Sequence, residues 1–129
     1  MTHERILIVD DQPQNLKLAR VVLEQAGYLV ATAEDAEQAM RQLQASKPRL
    51  ILMDLQLPGL DGLALTRRLK ADPAYRDVVI VALTAYAMKG DDTKAFAAGC
   101  DGYLTKPVDI DNLVAVVARH LEPPDAVTP

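Results

Sequence analysis

Five residues whose side chains could do chemistry stand where apolar runs of the chain stop. Asp10 and Asp11 follow Ile6 to Val9, Asp54 follows Leu50 to Met53, Thr84 follows Val78 to Leu83, and Lys106 comes shortly after Gly102 to Leu104. Carboxylates crowded together repel one another and are hard oxygen donors, the ligand set preferred by Mg²⁺, which keeps several waters. A Lys ammonium adds fixed positive charge and a Thr hydroxyl can donate to an anionic oxygen. With a metal, they would neutralise a phosphoryl group on its way to a carboxylate. Each residue alone has a plainer explanation: Asp10 and Asp11 as a helix N-cap pair, Asp54 as the start of a turn, Thr84 as a strand end, Lys106 as a surface charge or one partner of a salt bridge. Only a fold that gathers four strand ends makes them one site.

The elements needed for that gathering are legible. Ile6 to Val9 is an unbroken apolar run, which suits a strand covered on both faces. Pro13 fits the first turn of a helix carrying Leu16, Ala19, Val22, Leu23 and Ala26 at helical spacing, with Gly27 as its stop. Tyr28 to Thr32 reads as a less apolar, outer strand. Glu34 and Asp35 then place negative charge at the start of a helix whose stripe is Ala36, Ala39, Met40 and Leu43. Lys47 and Pro48 end it before the third strand. After a loop containing Pro58, Gly59 and Gly62, Asp61 is a predicted N-cap for a helix with Leu63, Leu65, Thr66 and Leu69 that ends at Pro73. Val78 to Leu83 is the strongest strand. A polar helix from about Lys89 to Ala98, stopped by Gly99, has the weakest apolar stripe. Gly102 to Leu104 is a short strand, and a final helix after Asp109 carries Ile110, Leu113, Val114, Val117 and Leu121.

Strand and helix alternating in this way predict an α/β fold: a doubly wound parallel sheet of five strands with five helices. In such sheets ligands bind beyond the carboxyl ends of the strands, where the order reverses, and the flavodoxin-like order 2-1-3-4-5 sets strands one and three side by side there. That rule brings Asp10, Asp11, Asp54, Thr84 and Lys106 to one edge.

Composition narrows the function. A length of 129 residues fits one domain with a core large enough to need no disulfide or structural metal. The formal net charge of -4 and the absence of a Lys/Arg run argue against nucleic acid as a partner. No apolar run is long enough for a bilayer and none resembles a signal peptide, so no membrane partner and a cytoplasmic location are expected. The single cysteine, Cys100, reads as a small buried hydrophobe. His3 and His120 lie near the termini, away from the predicted site, which sets aside a histidine base or a His-rich metal site. The tail, EPPDAVTP, is too rich in proline to pack; residues 122–129 read as a disordered tail or linker after a domain spanning 1–121.

The segments VDD ending at Asp11, LMDLQLPGLDG around Asp54, ALTA with Thr84 and YLTKP with Lys106 resemble, in order and separation, the receiver domain of two-component response regulators, the CheY-like family, from about Arg5 to Leu121. The AYAMKGD run from Ala85 to Asp91 is similar to stand-alone receivers of the DivK type, and receivers attached to hybrid histidine kinases or larger regulators share much of it. The resemblance implies a phosphoacceptor signalling domain, not an enzyme beyond its own phosphorylation and dephosphorylation. Asp54 would take its phosphoryl group from a phosphohistidine on a histidine kinase or histidine phosphotransfer protein. Mg²⁺ would be held by Asp11, Asp54 and the backbone carbonyl of Gln56, with Asp10 acting through water. Lys106 would contact Asp54 and then the phosphoryl group, Thr84 and Ala85 would bind phosphoryl oxygens, and Tyr103 would be the aromatic switch. With no output domain expected after Leu121, a stand-alone receiver would signal by docking onto a downstream protein target, through the fourth helix, last strand and fifth helix, the face that Thr84 and Tyr103 border.

Other classes use similar parts. A haloacid-dehalogenase phosphatase also has an aspartyl nucleophile with Mg²⁺, Thr and Lys, but needs a second Asp two residues on, where this chain has Gln56. A flavodoxin-like electron carrier needs Gly, Ser and Thr donors in its first loop, which here reads Asp-Asp-Gln-Pro. A degenerate receiver that only binds partners would lack members of the site, and all are present.

Overall fold

The apolar runs do become strands. A computed structural model describes residues 4–55, 62–84, 96–105 and 109–121 of the chain, with Thr84 and Ile110 described in backbone only. The elements are β1 (Arg5–Val9), α1 (Pro13–Gln25), β2 (Leu29–Ala33), α2 (Ala36–Ala45), β3 (Leu50–Asp54), α3 (Gly62–Ala71), β4 (Val79–Thr84), helical residues 96–98 labelled α4, β5 (Gly102–Thr105) and α5 (Ile110–Leu121). The strands form one parallel sheet in the order β2-β1-β3-β4-β5, the doubly wound arrangement expected. Asp61 and the greater part of the predicted 89–98 helix lie outside the described residues, as does the tail.

Side chains alternate across the sheet and build two cores. Ile6, Ile8, Leu50, Leu52, Val81 and Leu83 pack against Leu16 and Leu23 of α1 and Leu113, Val117 and Leu121 of α5. Leu7, Val9, Ile51, Met53, Ile80 and Ala82 pack against Ala39 and Leu43 of α2 and Leu65 and Leu69 of α3. Each fully buried Leu, Ile or Val contributes about 1.5–3 kcal/mol relative to exposure, so covering both faces of β3 holds that strand firmly in place. All five of its residues are buried, Asp54 included.

Capping follows the sequence closely. The Asp35 carboxylate accepts from Gln38 N at 2.8 Å to open α2, and Asp109 accepts from Asp111 N at 2.9 Å to open α5. Gly27 (φ 103°) follows α1, and Gly99 (φ 110°) follows α4. Ala26 is the exposed C-cap of α1 and not part of its buried stripe. Two strands are displaced by one residue from the apolar runs. Tyr28 N donates to Leu23 O and so completes the α1 turn, while Ala33 pairs with Val9; Val78 N donates to Tyr75 O, and β4 starts one residue later.

At the amino ends of the strands, charges are matched between elements. Lys47 pairs with Asp77 and Lys70 with Asp101, both at 2.8 Å, and Arg49 lies 2.8 Å from Glu4 in a charge contact without hydrogen-bond alignment. The Lys47 ammonium holds the exposed Asp77 carboxyl below its usual range. His120 lies at this end too, against the bare Cα of Gly102, where an added Cβ would stand 2.7 Å from its Nε2. Cys100 is buried, and burial pushes its thiol up, against a weaker opposite pull from the Thr66 hydroxyl. Among the described residues no helix is long and apolar enough to cross a membrane.

Candidate functional site

Strand register decides which side chains meet at the carboxyl edge. Val9 is level with Met53, so the next residues, Asp10 and Asp54, leave the sheet side by side. Asp54 is level with Leu83, and Thr84 with Thr105, so Thr84 and the residue before Lys106 end the next two strands. The carboxylates of Asp10, Asp11 and Asp54 each place an oxygen within 4.8 Å of the others. Asp10 and Asp54 are 1% and 2% exposed, whereas Asp11 is exposed. Buried carboxylates are costly unless compensated, and that two of them share an edge marks it as functional.

Part of the compensation for Asp10 comes from α1. Asp10 Oδ1 accepts from Gln12 N at 2.9 Å, and Oδ2 accepts from the Asn15 side-chain amide at 3.4 Å. Gln12, the N-cap, has no side-chain cap of its own. Asp10 therefore satisfies an amide at the helix start, and the positive end of the α1 dipole faces the acids. The first residue of α3 meets the backbone at the end of β3. Gly62 N donates to Leu55 O at 3.3 Å, and Gly62 lies so close that a Cβ there would stand 2.5 Å from the Asp54 carbonyl oxygen. Thr66, buried in the next turn, donates to Gly62 O at 2.8 Å.

The donor set fits a hard divalent cation. Three carboxylates converge, and because one of them is exposed, coordination positions are left for water, as Mg²⁺ requires. Asp10, Asp11 and Asp54 are thus brought together as expected. Thr84 stands at the same edge in backbone, and Tyr103 is half-buried in β5 on the face of the sheet shared with α2 and α3. Gln56, Ala85 and Lys106 lie outside the described residues. Two contributors had no sequence signal of their own: Asn15, whose amide reaches Asp10, and Gly62 as a contact to the Asp54 backbone.

A family profile described as the response regulator receiver domain matches residues 6–118. The chain belongs to this family. The receiver is 35% identical over 116 residues to the polar-differentiation response regulator DivK of Brucella anthropi, covering 90% of this chain and 94% of that one. Among solved structures it is similar to the chemotaxis response regulator CheY4 of Vibrio cholerae, with a TM-score of 0.87, 27% identity and coverage of 93% and 100% of the two chains. It is also similar to the receiver domain of the sensor histidine kinase PA1611 of Pseudomonas aeruginosa, with a TM-score of 0.82, 37% identity and coverage of 92% and 97%. That structure has a magnesium ion coordinated in its active site cleft. The receiver is accordingly a two-component signalling domain with an acidic pocket at Asp10, Asp11 and Asp54. Mg²⁺ binding at an acidic site, and interaction with histidine kinases and downstream targets, are properties of its family.

Proposed function

We propose that Asp54 is the phosphoacceptor. One Asp54 carboxylate oxygen attacks the phosphorus of a phosphohistidine on a histidine kinase or histidine phosphotransfer protein, and the P–N bond breaks with its electron pair retained by the imidazole nitrogen. The observation that supports this reading is the convergence of Asp10, Asp11 and Asp54 within 4.8 Å at the end of β3. Asp11, Asp54 and the Gln56 carbonyl would hold Mg²⁺ directly and Asp10 through water. Bound there, the ion supplies charge neutralisation for the phosphoryl oxygens. Asp10 is kept in orientation by Gln12 N and Asn15. Lys106 contributes a second positive charge, and the Thr84 hydroxyl and the Ala85 backbone N–H donate to phosphoryl oxygens.

The phosphoryl group adds about -1.5 to -2 charge near pH 7, which rewards conformations that draw Thr84 and Lys106 inward and turn Tyr103. A partner selective for that state, docking on α4, β5 and α5, shifts the same equilibrium, so phosphate and partner strengthen each other. The signalling unit spans residues 1–121, with 122–129 as tail or linker, and it works in the cytoplasm.

The test is phosphoryl uptake from acetyl phosphate and from a phosphorylated kinase, followed by intact mass. Wild type gains one phosphoryl group with Mg²⁺ and loses this ability in EDTA, and Asp54→Asn gains none. Uptake by Asp54→Asn would overturn the assignment. The 37% identity to a sensor histidine kinase receiver supports a second reading, with the same chemistry carried in a hybrid kinase. The size of the native protein on an immunoblot separates the two.

A further inference from the structure

At the far end of α3 from Asp54, a second contact ties this helix to the strand that leads to Lys106. Lys70, in the last turn of α3, has a side chain 20% exposed, and its ammonium has three acceptors: Val78 O at 2.7 Å, Asp101 Oδ2 at 2.8 Å and Arg76 O at 3.3 Å. An ammonium has three donors, so this one is fully used and fixed in place. Asp101 in turn clamps β4 at a single residue: its N donates to Ile80 O at 2.7 Å and its Oδ2 accepts from Ile80 N at 2.9 Å. The two residues before it rest on α3 as well. A Cβ on Gly99 would stand 2.8 Å from Lys70 Cγ, and Cys100 Sγ lies 4.0 Å from Thr66 Oγ1.

Residues 99–101 are therefore seated on the second half of α3, while its first residue, Gly62, is pressed against the backbone of Asp54 and Leu55. The helix between these contacts has ten residues and spans about 15 Å. The strand it serves is the weakest in the sheet. Among the described residues β5 has four, the fewest of any strand, and β4 is its single hydrogen-bonded neighbour. Few ladder bonds resist its sliding, so what holds its first residue also sets where its last residue stands.

We infer that Lys70 is a positioning residue for the phosphoryl chemistry. Through Gly62 at one end and the Lys70–Asp101 contact at the other, α3 fixes Thr105, the last residue of β5 and the one before Lys106 in the chain, relative to Asp54. This rests on the roles given above to Asp54 and Lys106. Because a displacement of about 1 Å can cost as much as a hundredfold in rate, loosening this contact acts at a distance.

The test compares Lys70→Met, which keeps the stem against Gly99 and removes the donors, with Lys70→Arg, which restores charge and donors. Ile6→Val, in the α1–α5 core, is the stability control. Phosphoryl uptake from acetyl phosphate with Mg²⁺ is measured at a temperature where all remain folded, and backbone amide shifts are recorded without phosphate. Lys70→Met is expected to slow uptake about tenfold and Lys70→Arg to stay within about threefold of wild type. Ile6→Val keeps the wild-type rate. The amides of Leu55 and Thr105 shift in Lys70→Met. A wild-type rate in Lys70→Met, with Asp54→Asn inactive, overturns the inference and leaves the acceptor assignment standing. If Asp54→Asn takes up phosphate, the acceptor assignment falls, and the amides decide separately. Shifts reaching Leu55 and Thr105 then sustain the coupling through α3, and shifts confined to the surroundings of residues 70 and 101 refute it.

Discussion

Gly62→Ala probes the close backbone approach behind Asp54, the proposed phosphoacceptor. The added Cβ would lie 2.5 Å from the Asp54 carbonyl oxygen, 2.8 Å from Leu55 Cα and 3.2 Å from the Asp54 carbonyl carbon, and all three are backbone atoms with no rotamer to escape into. Ordinary contact needs the nearest of them to recede by about 1 Å, by moving the start of α3 or the end of β3. Overpacking of this kind costs about 1–3 kcal/mol, offset in part by about 0.4–1 kcal/mol from restricting the unfolded chain. Stability should therefore fall by about 1–2 kcal/mol. If Asp54 is the acceptor proposed above, the effect on chemistry should be disproportionate: a shift of this size should lower phosphoryl uptake by about ten- to a hundredfold. Gly27→Ala is the matched control. It places a side chain at φ 103° with nothing within 4 Å, at the amino end of β2, so it is destabilising through backbone strain alone and leaves the rate unchanged. Melting temperatures and acetyl phosphate kinetics on the same samples decide the matter. A Gly62→Ala protein that is destabilised but phosphorylated at the wild-type rate would refute the claim that this contact positions Asp54.

Asn15→Ala removes the 3.4 Å bond to Asp10 Oδ2 while the Gln12 amide keeps its hold on Oδ1. Mg²⁺ affinity by calorimetry should weaken by about three- to tenfold, with under about 1 kcal/mol lost in stability. Unchanged affinity would mean that Asp10 is oriented without help from the Asn15 amide. Cys100, buried with its thiol pushed up, should react with a disulfide reagent only as fast as the protein opens, and quickly in denaturant. Because the folded thiol keeps its proton when the unfolded one has lost it, stability is full below the ordinary thiol range and falls as pH rises through and above it. Cys100→Ala should lack that alkaline slope in melting curves taken up to about pH 10.

Much of this was open to reading in the chain. Strands buried on both faces are apolar runs rich in Ile, Leu and Val with no polar interruption, so β1, β3 and β4 declare themselves, and the polar residues at or just past their ends mark the edge where a parallel sheet binds ligands. Boundaries were less legible, because apolarity reports burial while a strand is defined by its ladder. Val78 is buried yet bonded to Tyr75 in a turn. Legibility ends at polar contacts between distant elements. Nothing in the periodicity joins Lys70 to Asp101, thirty-one residues on, or tells that Gly62 is a glycine because of the Asp54 carbonyl. Asn15 sits on an exposed turn of α1 where an amide is unremarkable until the fold sets it beside Asp10.

The ion pairs that join separate elements among the described residues all stand at the amino ends of the strands, and the three converging carboxylates stand at the carboxyl ends. Ionic strength consequently works on the two poles in opposite senses. Added monovalent salt weakens Lys47–Asp77 and its counterparts while relieving the mutual repulsion of the acids, so overall stability should respond weakly to salt even though neither pole is indifferent to it. A divalent cation acts on one pole only. Held by the three acids, such an ion would therefore change the charge balance at the carboxyl pole and leave the ion pairs of the amino pole as they were.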